Sequence, residues 1–221
     1  MGNALGKSSE PPRLYTRPPP STLLAMTPAE ASTLESLASL YPPLHSREVP
    51  AELLATPAEI ADGIYLGSFE HATDRQWLAT AGIIAVLNCG PDVCRLSARQ
   101  VPELQAEQIS SAAQRVARAK AFYGTGVEYA ECDATDCEGY PILQKHLEEA
   151  RSFIAKHGQR GPVLIHCFSG QNRSAALALG YQMVTQDLTF QQALSLVHPL
   201  RPLILSNESF RLQLLRLRGE K

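Results

Sequence analysis

Pro162-Val-Leu-Ile-His166 is a short apolar run of the buried-strand type, and Ser174-Ala-Ala-Leu-Ala-Leu179 a little further on is rich in helix formers. Only the seven residues Cys167-Phe-Ser-Gly-Gln-Asn-Arg173 join them. The chain must therefore turn from strand into helix through one tight loop, whose backbone N–H groups converge at the helix N-terminus. Unpaired donors and the helix dipole favour an anion there, and phosphate fits.

The side chains in the loop suit chemistry on such an anion. Cys167 sits where the dipole, the inward amides and the Arg173 guanidinium favour a thiolate, which makes it a candidate nucleophile. Arg173 can grip two phosphoryl oxygens with its planar fork, which a lysine cannot do. Gly170 lets the loop turn, and the Ser174 hydroxyl is placed to hydrogen-bond a departing thiolate. Phe168, Ser169, Gly170, Gln171, Asn172 and Arg173 are the expected substrate-binding residues, with His166 and Asn88 at strand ends in support. No metal and no cofactor are required. The plain alternative, a structural cysteine and a helix-capping arginine at a chance spacing, is disfavoured by the strand, glycine and helix around them.

Strands and helices alternate along the chain. After a hairpin around Asp62 to Gly67, Asp74 can cap a short helix through Trp77. A strand follows at Ile83 to Asn88, then a polar insertion, a strand at Val127 to Cys132, a helix from about Pro141 to Lys156 and the strand and loop above. Thr189 and Gln192 open a further helix with Ala193, Leu194, Leu196 and Val197 on it, and Asn207 opens the last, through Leu217. The expected fold is α/β, a mostly parallel central sheet flanked by helices on both faces, with the site at the carboxyl ends of the strands. Glu103 to Phe122, within the insertion, reads as a solvated helix, with substrate docking as an alternative role.

H-C-x-x-G-x-x-R-S, met at every fixed position by His166 through Ser174, resembles the signature of the cysteine-dependent protein phosphatases. The wider chain is similar to their dual-specificity branch. Asp62-Gly-Ile-Tyr-Leu-Gly67 resembles its opening hairpin, Ile84-Ala-Val-Leu-Asn88 its central strand, and Arg201-Pro-Leu-Ile-Leu-Ser-Asn207 with Phe210 its closing segment. The resemblance runs from about Thr56 to Leu217. It implies hydrolysis of phosphotyrosine and phosphoserine or phosphothreonine through a cysteinyl-phosphate intermediate. Three features depart from it: Asn172, which also resembles the loop of the RNA 5′-triphosphatases, a long polar insertion near Leu96 to Gly126, and a long N-terminal extension.

The resemblance also implies a general acid, an aspartate in the loop after the strand that precedes the long helix. Counting from Tyr129 gives Asp136. Counting back from Phe153-Ile154 gives one residue later, as though the loop carried a single-residue insertion. Asp136 is the candidate acid and Asp133 the alternative.

With 221 residues, 44% of them hydrophobic, and a net charge of -2, the chain can bury one ordinary core and shows no basic excess that would advertise nucleic acid. No apolar run reaches membrane-spanning length. Uneven cysteine spacing without an apolar leader fits a reducing compartment, so the expected location is cytoplasmic. Cys89-x4-Cys94 and Cys132-x4-Cys137 lack the knuckle spacing and paired histidines of zinc sites. Cys89 ends the strand expected beside the phosphate loop and could reach Cys167 on oxidation.

Residues 1–55 read as an extension, largely irregular with one short helix near 28–41, ahead of a catalytic domain over 56–218. Ser8 to Pro20 is proline-rich, and Pro11 to Pro20 could hold a polyproline ligand. Thr27-Pro-Ala-Glu30 has the residues of a capping box, and Leu34, Leu37, Ala38 and Tyr41 then share a face. Docking of that stripe on the domain itself is preferred over a partner-binding helix. Met1-Gly-Asn-Ala-Leu-Gly begins like a myristoylation signal, with Gly6 where serine or threonine is usual. Acylation of Gly2 would give only weak membrane association.

The expected partners are phosphorylated proteins, protein kinases being one candidate group. Two alternatives stand beside an active protein phosphatase. One is a phosphatase of a phosphoinositide or RNA 5′-triphosphate, disfavoured because Phe168, Ser169, Gln171 and Asn172 add no charge to the loop. The other is a silent phosphate-binding scaffold, disfavoured because no catalytic group is missing.

Overall fold

A computed structural model describes residues 25–42, 49–91 and 112–218. Within them, β1 (Ala58–Ala61), β2 (Ile64–Gly67), β3 (Ala85–Asn88), β4 (Glu128–Glu131) and β5 (Val163–His166) form one sheet in the order β1-β2-β5-β3-β4. The β1–β2 hairpin, turning at Gly63 with φ 66°, is antiparallel, and the other three pairings are parallel. β3 and β5 are buried at all four positions, which explains why both read as unbroken apolar runs: each of their faces is covered.

The helices are α1 (Pro28–Leu40), α2 (Ala51–Ala55), α3 (Phe69–Thr73), α4 (Arg75–Thr80), α5 (Ala112–Tyr123), α6 (Ile142–Gly158), α7 (Arg173–Thr185), α8 (Phe190–Val197) and α9 (Glu208–Leu217). Alternate strand residues sort them into two layers. Ala85, Leu87, Val163 and Ile165 pack with Ile142, Ile154, Leu177, Phe190 and Phe210 on one face. Val86 and Leu164 pack with Ala72 and Leu78 on the other, against partly buried Trp77 and Tyr123. The expected α/β architecture, mostly parallel and covered on both faces, is the one observed. No helix among the described residues is long and apolar enough to cross a membrane.

Caps read from sequence are made. Thr27 and Glu30 close a capping box on α1, Thr189 and Gln192 one on α8, and Asp74 and Asn207 accept from the first turns of α4 and α9. α1 docks on the chain itself: Leu34 and Leu37 join the main core, and Arg216 Nε of α9 donates to Glu30 Oε1 at 2.6 Å.

Three details add to or differ from expectation. α5 is not simply solvated, because Ala119 and Phe122 are buried and Arg115 Nε pairs with Glu131 Oε2 at 2.8 Å on β4. Only Ala119 and Phe122 of its residues are buried, too few to give a strong hydropathy signal. Leu196 is 51% exposed, since two residues from Leu194 turn a helix by about 200° and carry it to the outer face. α2 is a short helix in a segment expected to be irregular. The segment around Pro11 to Pro20, Gly2, Cys94 and the first part of the insertion lie outside the described residues.

Candidate active site

β5 lies between β2 and β3, and its last residue, His166, pairs in register with Gly67 and Asn88. The chain then turns through Cys167 to Asn172 and enters α7 at Arg173. α7 runs through the middle of the core, buried on nearly every side, and small residues let it do so. A Cβ on Gly180 would lie 2.9 Å from Leu147 Cδ1 of α6.

The loop is shaped from outside. Its carbonyls are taken in turn by His166 Nδ1 (Cys167 O, 3.2 Å), Phe69 N (Phe168 O, 2.9 Å), Arg201 Nη2 (Ser169 O, 3.1 Å) and Arg201 Nε (Gly170 O, 3.0 Å). Leu205 N then takes Gln171 O at 2.9 Å and Ala176 N takes Asn172 O at 2.8 Å. A peptide's C=O and N–H point in opposite directions, so carbonyls held outward turn the amides inward. The amide nitrogens from Phe168 to Asn172 have no acceptor among the described residues, which leaves them for an anion. Gly170 has φ 69°, and a Cβ there would also lie 2.7 Å from Arg201 Nη2.

Cys167 Sγ, 1% exposed, stands at the base of this concavity and accepts from Ser174 Oγ at 3.2 Å. Arg173 is 4% exposed. Its guanidinium lies against Gly90, where a Cβ would come within 2.6 Å of Cζ. Gly90 is held in turn by Asn88, whose Oδ1 accepts from Gly90 N and whose Nδ2 donates to Tyr129 Oη, both at 3.0 Å. Arg173 Nε is buried without a hydrogen-bond partner, Asp136 Oδ2 being 3.9 Å away. A buried guanidinium donor in that state suits a ligand with two oxygens to offer. Burial holds His166 neutral, its ring pushed down to about 4, so the imidazole brings no competing charge to the loop.

The two aspartates are placed differently. Asp136 accepts from Asn172 Nδ2 at 3.2 Å and from Asn207 Nδ2 at 3.1 Å, which sets its carboxylate at the mouth of the loop beside Arg173. Asp133 is exposed, its charge falls on Tyr140 and His146, and its backbone carbonyl accepts from Tyr140 Oη at 3.3 Å. Phe168 is 41% exposed and lies at the rim with Ser169. Away from the loop, Cys132, His146 and Glu149 each offer a donor atom within 4.8 Å of the others, but one ring nitrogen of His146 is already engaged with Tyr140 Oη at 2.7 Å.

The family model of the dual specificity phosphatase catalytic domain matches residues 64–219. The chain belongs to that family. Among its curated relatives, MAP kinase phosphatase with leucine-rich repeats protein 3 of Dictyostelium discoideum is 31% identical over 197 residues, covering 87% of this chain and 18% of the relative. Dual specificity protein phosphatase 26 of Homo sapiens is 32% identical over 161 residues, covering 72% and 65%. The chain thus spans less than two thirds of the length of these relatives. The crystal structure of DUSP15 shares the dual-specificity fold, with a TM-score of 0.57 at 22% identity over 75% of this chain and 88% of that one.

Several residues that shape this dual-specificity loop were not assigned to the site from sequence. Arg201 clamps two carbonyls, Asn207 holds Asp136, and Ser206 Oγ accepts from Asn172 Nδ2 at 3.1 Å. The R-P…N…F segment that resembles the family was the available signal for Arg201 and Asn207. Gly90 carried none, because its use is only to be small beneath Arg173.

Proposed function

We propose that this chain is a protein phosphatase of dual specificity that hydrolyses phosphotyrosine and phosphoserine or phosphothreonine through a phosphate ester on Cys167. One observation carries the reading: Cys167 Sγ, hydrogen-bonded to Ser174, lies under a loop whose amides point inward, and Arg173 Nε at the end of that loop is buried without a hydrogen-bond partner. The phosphoryl group sits in the loop with its oxygens on those amides and on the Arg173 fork. Cys167 attacks phosphorus opposite the leaving oxygen, and Arg173 holds the charge on the equatorial oxygens as the bond breaks. Asp136 gives its proton to the departing phenolate or alkoxide. In the second step Asp136 takes a proton from the attacking water, while Ser174 stabilises the thiolate that leaves. The residues of the loop require no metal.

Phosphorylated proteins are the proposed substrates. Protein kinases are candidates among them, in keeping with the name of the Dictyostelium relative. Asn172 bears on the RNA alternative, since its side chain is occupied in the site: Nδ2 donates to Asp136 and Ser206, and Oδ1 accepts from Asn207 N at 3.1 Å. It serves to position the acid, so it gives no reason to prefer a triphosphate. The test is phosphate release from phosphotyrosine and phosphothreonine peptides, a phosphoinositide and a triphosphate RNA under one set of conditions. Release from both peptides is expected; release only from the lipid or the RNA overturns the proposal.

A further inference from the structure

β5, β3 and β4 are neighbouring parallel strands, and each is followed at once by a cysteine: Cys167, Cys89 and Cys132. Asn88 pairs with His166 on one side and Glu131 on the other. The ladder extends one step further, because Cys89 N donates to His166 O at 2.7 Å and Cys132 N to Asn88 O at 2.8 Å. The cysteines therefore form a row across three strand ends, with Cys89 in the middle. Their side chains share a face, all three lying in the core with Ala85, Leu87, Val163 and Ile165, while Val86 and Leu164 point to the opposite layer.

Strand spacing sets what such a row can do. Neighbouring strands lie about 4.8 Å apart. That is within the Cα separations of roughly 4.4–6.8 Å that a disulfide spans. Both outer thiols are felt at the centre: burial first, then the hydrogen bond and charge of Cys132 and the charge of Cys167, push the Cys89 thiol up.

We infer that Cys132 is a second resolving thiol, and that oxidation of Cys167 by a peroxide is passed along the row to leave a Cys89–Cys132 disulfide and a free Cys167. The inference rests on Cys167 being the reactive thiolate of the proposed function. In the first step the Cys167 thiolate attacks a peroxide oxygen, the O–O bond breaks, and a sulfenic acid forms as the peroxide is reduced to an alcohol or water. The Cys89 thiol then attacks that sulfur, giving the Cys89–Cys167 disulfide and one water. Finally Cys132 attacks the Cys89 sulfur and the Cys167 thiolate leaves. The proton of Cys132 has acceptors at hand in His146 and Glu149, whose donor atoms and the Cys132 sulfur lie within 4.8 Å of one another. One peroxide is consumed, two thiols become one disulfide, and the nucleophile is returned in its starting state.

The row favours this last exchange for two reasons. Attack and departure at the central sulfur come from opposite sides, which is the arrangement thiol–disulfide exchange needs. Cys167 is also a good leaving group, because Ser174 Oγ donates to its sulfur and the inward amides stabilise the departing thiolate. Activity should then return without an outside reductant.

The experiment exposes the full chain to one equivalent of hydrogen peroxide, removes the excess with catalase, alkylates free thiols at intervals and maps the disulfides by mass spectrometry. A Cys89–Cys167 link is expected first, replaced by Cys89–Cys132 as Cys167 becomes open to alkylation and phosphate release recovers. In Cys132→Ser the first link should persist until dithiothreitol is added. The inference is overturned if the native chain keeps Cys89–Cys167 to the end, if the second link goes to Cys137 or Cys94, or if Cys167 proceeds to sulfinic acid while Cys89 and Cys132 stay reduced. The native-chain map decides the matter even should the variant fail to fold. It reads sulfur connectivity without any substrate, so failure of the phosphatase reading shows separately, as untreated chain that releases no phosphate.

Discussion

Asn207 Nδ2 donates to Asp136 Oδ1 at 3.1 Å, while Asn207 Oδ1 accepts from Phe210 N at 3.3 Å at the start of α9. One side chain thus caps a helix and holds the carboxylate at the mouth of the Cys167–Arg173 loop. If Asp136 is the acid, it works only while protonated, so the alkaline limb of the pH profile with peptide substrates should flatten in Asp136→Asn and persist in Asp133→Asn. Asp136→Asn should cost about a hundredfold with phosphotyrosine or phosphothreonine and little with an aryl phosphate whose phenol is already acidic. The opposite pattern would make Asp133 the acid.

Gly90 provides a test of the arginine that leaves its charge in place. A methyl group at this position would lie 2.6 Å from Arg173 Cζ, and the Gly90 backbone does not lie in the left-handed region. Gly90→Ala should therefore displace the guanidinium and reduce kcat/KM with both peptides by at least about tenfold, as Arg173→Lys should by more. Near-native turnover in both would mean that the guanidinium fork is not used on the phosphoryl group.

The strand–loop–helix unit, the helix caps and the parallel sheet were legible because each has a short-range signature: an apolar run, a glycine, a Thr-x-x-Glu or Thr-x-x-Gln pair. Cys167, Arg173 and Ser174 lie within eight consecutive residues, so spacing alone brings them together. Asp136 could be narrowed only to one of two aspartates, since loops have no period to count by; its tether to Asn172 and Asn207 joins segments 36 and 71 residues apart. Cys89 was legible as a neighbour of Cys167, but the place of Cys132 in the cysteine row was hidden for a related reason. Strand order puts Cys89 between Cys132 and Cys167, and neither spacing nor composition records which strands are neighbours.

Acid should destabilise the chain partly through His166. Its folded value, pushed down to about 4 by burial, lies below the ordinary value of about 6.5, so the neutral ring's contribution is complete above about 6.5 and is lost as pH falls toward 4. Denaturant midpoints measured between pH 7 and pH 5 should fall, and His166→Gln should fall less steeply. Equal slopes would mean that other buried histidines, such as His71, whose ring burial also lowers, carry the effect.

The extension should contribute to stability through α1. Leu37 is 3% exposed and belongs to the main core, so Leu37→Ala should cost about 2–5 kcal/mol in denaturant unfolding, with kcat little changed at temperatures where the chain stays folded. A loss well under 1 kcal/mol would mean that α1 undocks readily in solution.

The phosphate ester on Cys167 is the central claim, and it can be observed directly. The chain is quenched during steady turnover of a phosphotyrosine peptide, digested, and the fragment containing residues 166–174 is examined by mass spectrometry. One phosphoryl group on Cys167 is expected, more abundant in Asp136→Asn with an acidic aryl phosphate, where attack proceeds but water is poorly activated, and absent from Cys167→Ser, which should release no phosphate. Undiminished phosphate release by Cys167→Ser, or turnover by the native chain with the phosphoryl group on another residue, would contradict the account.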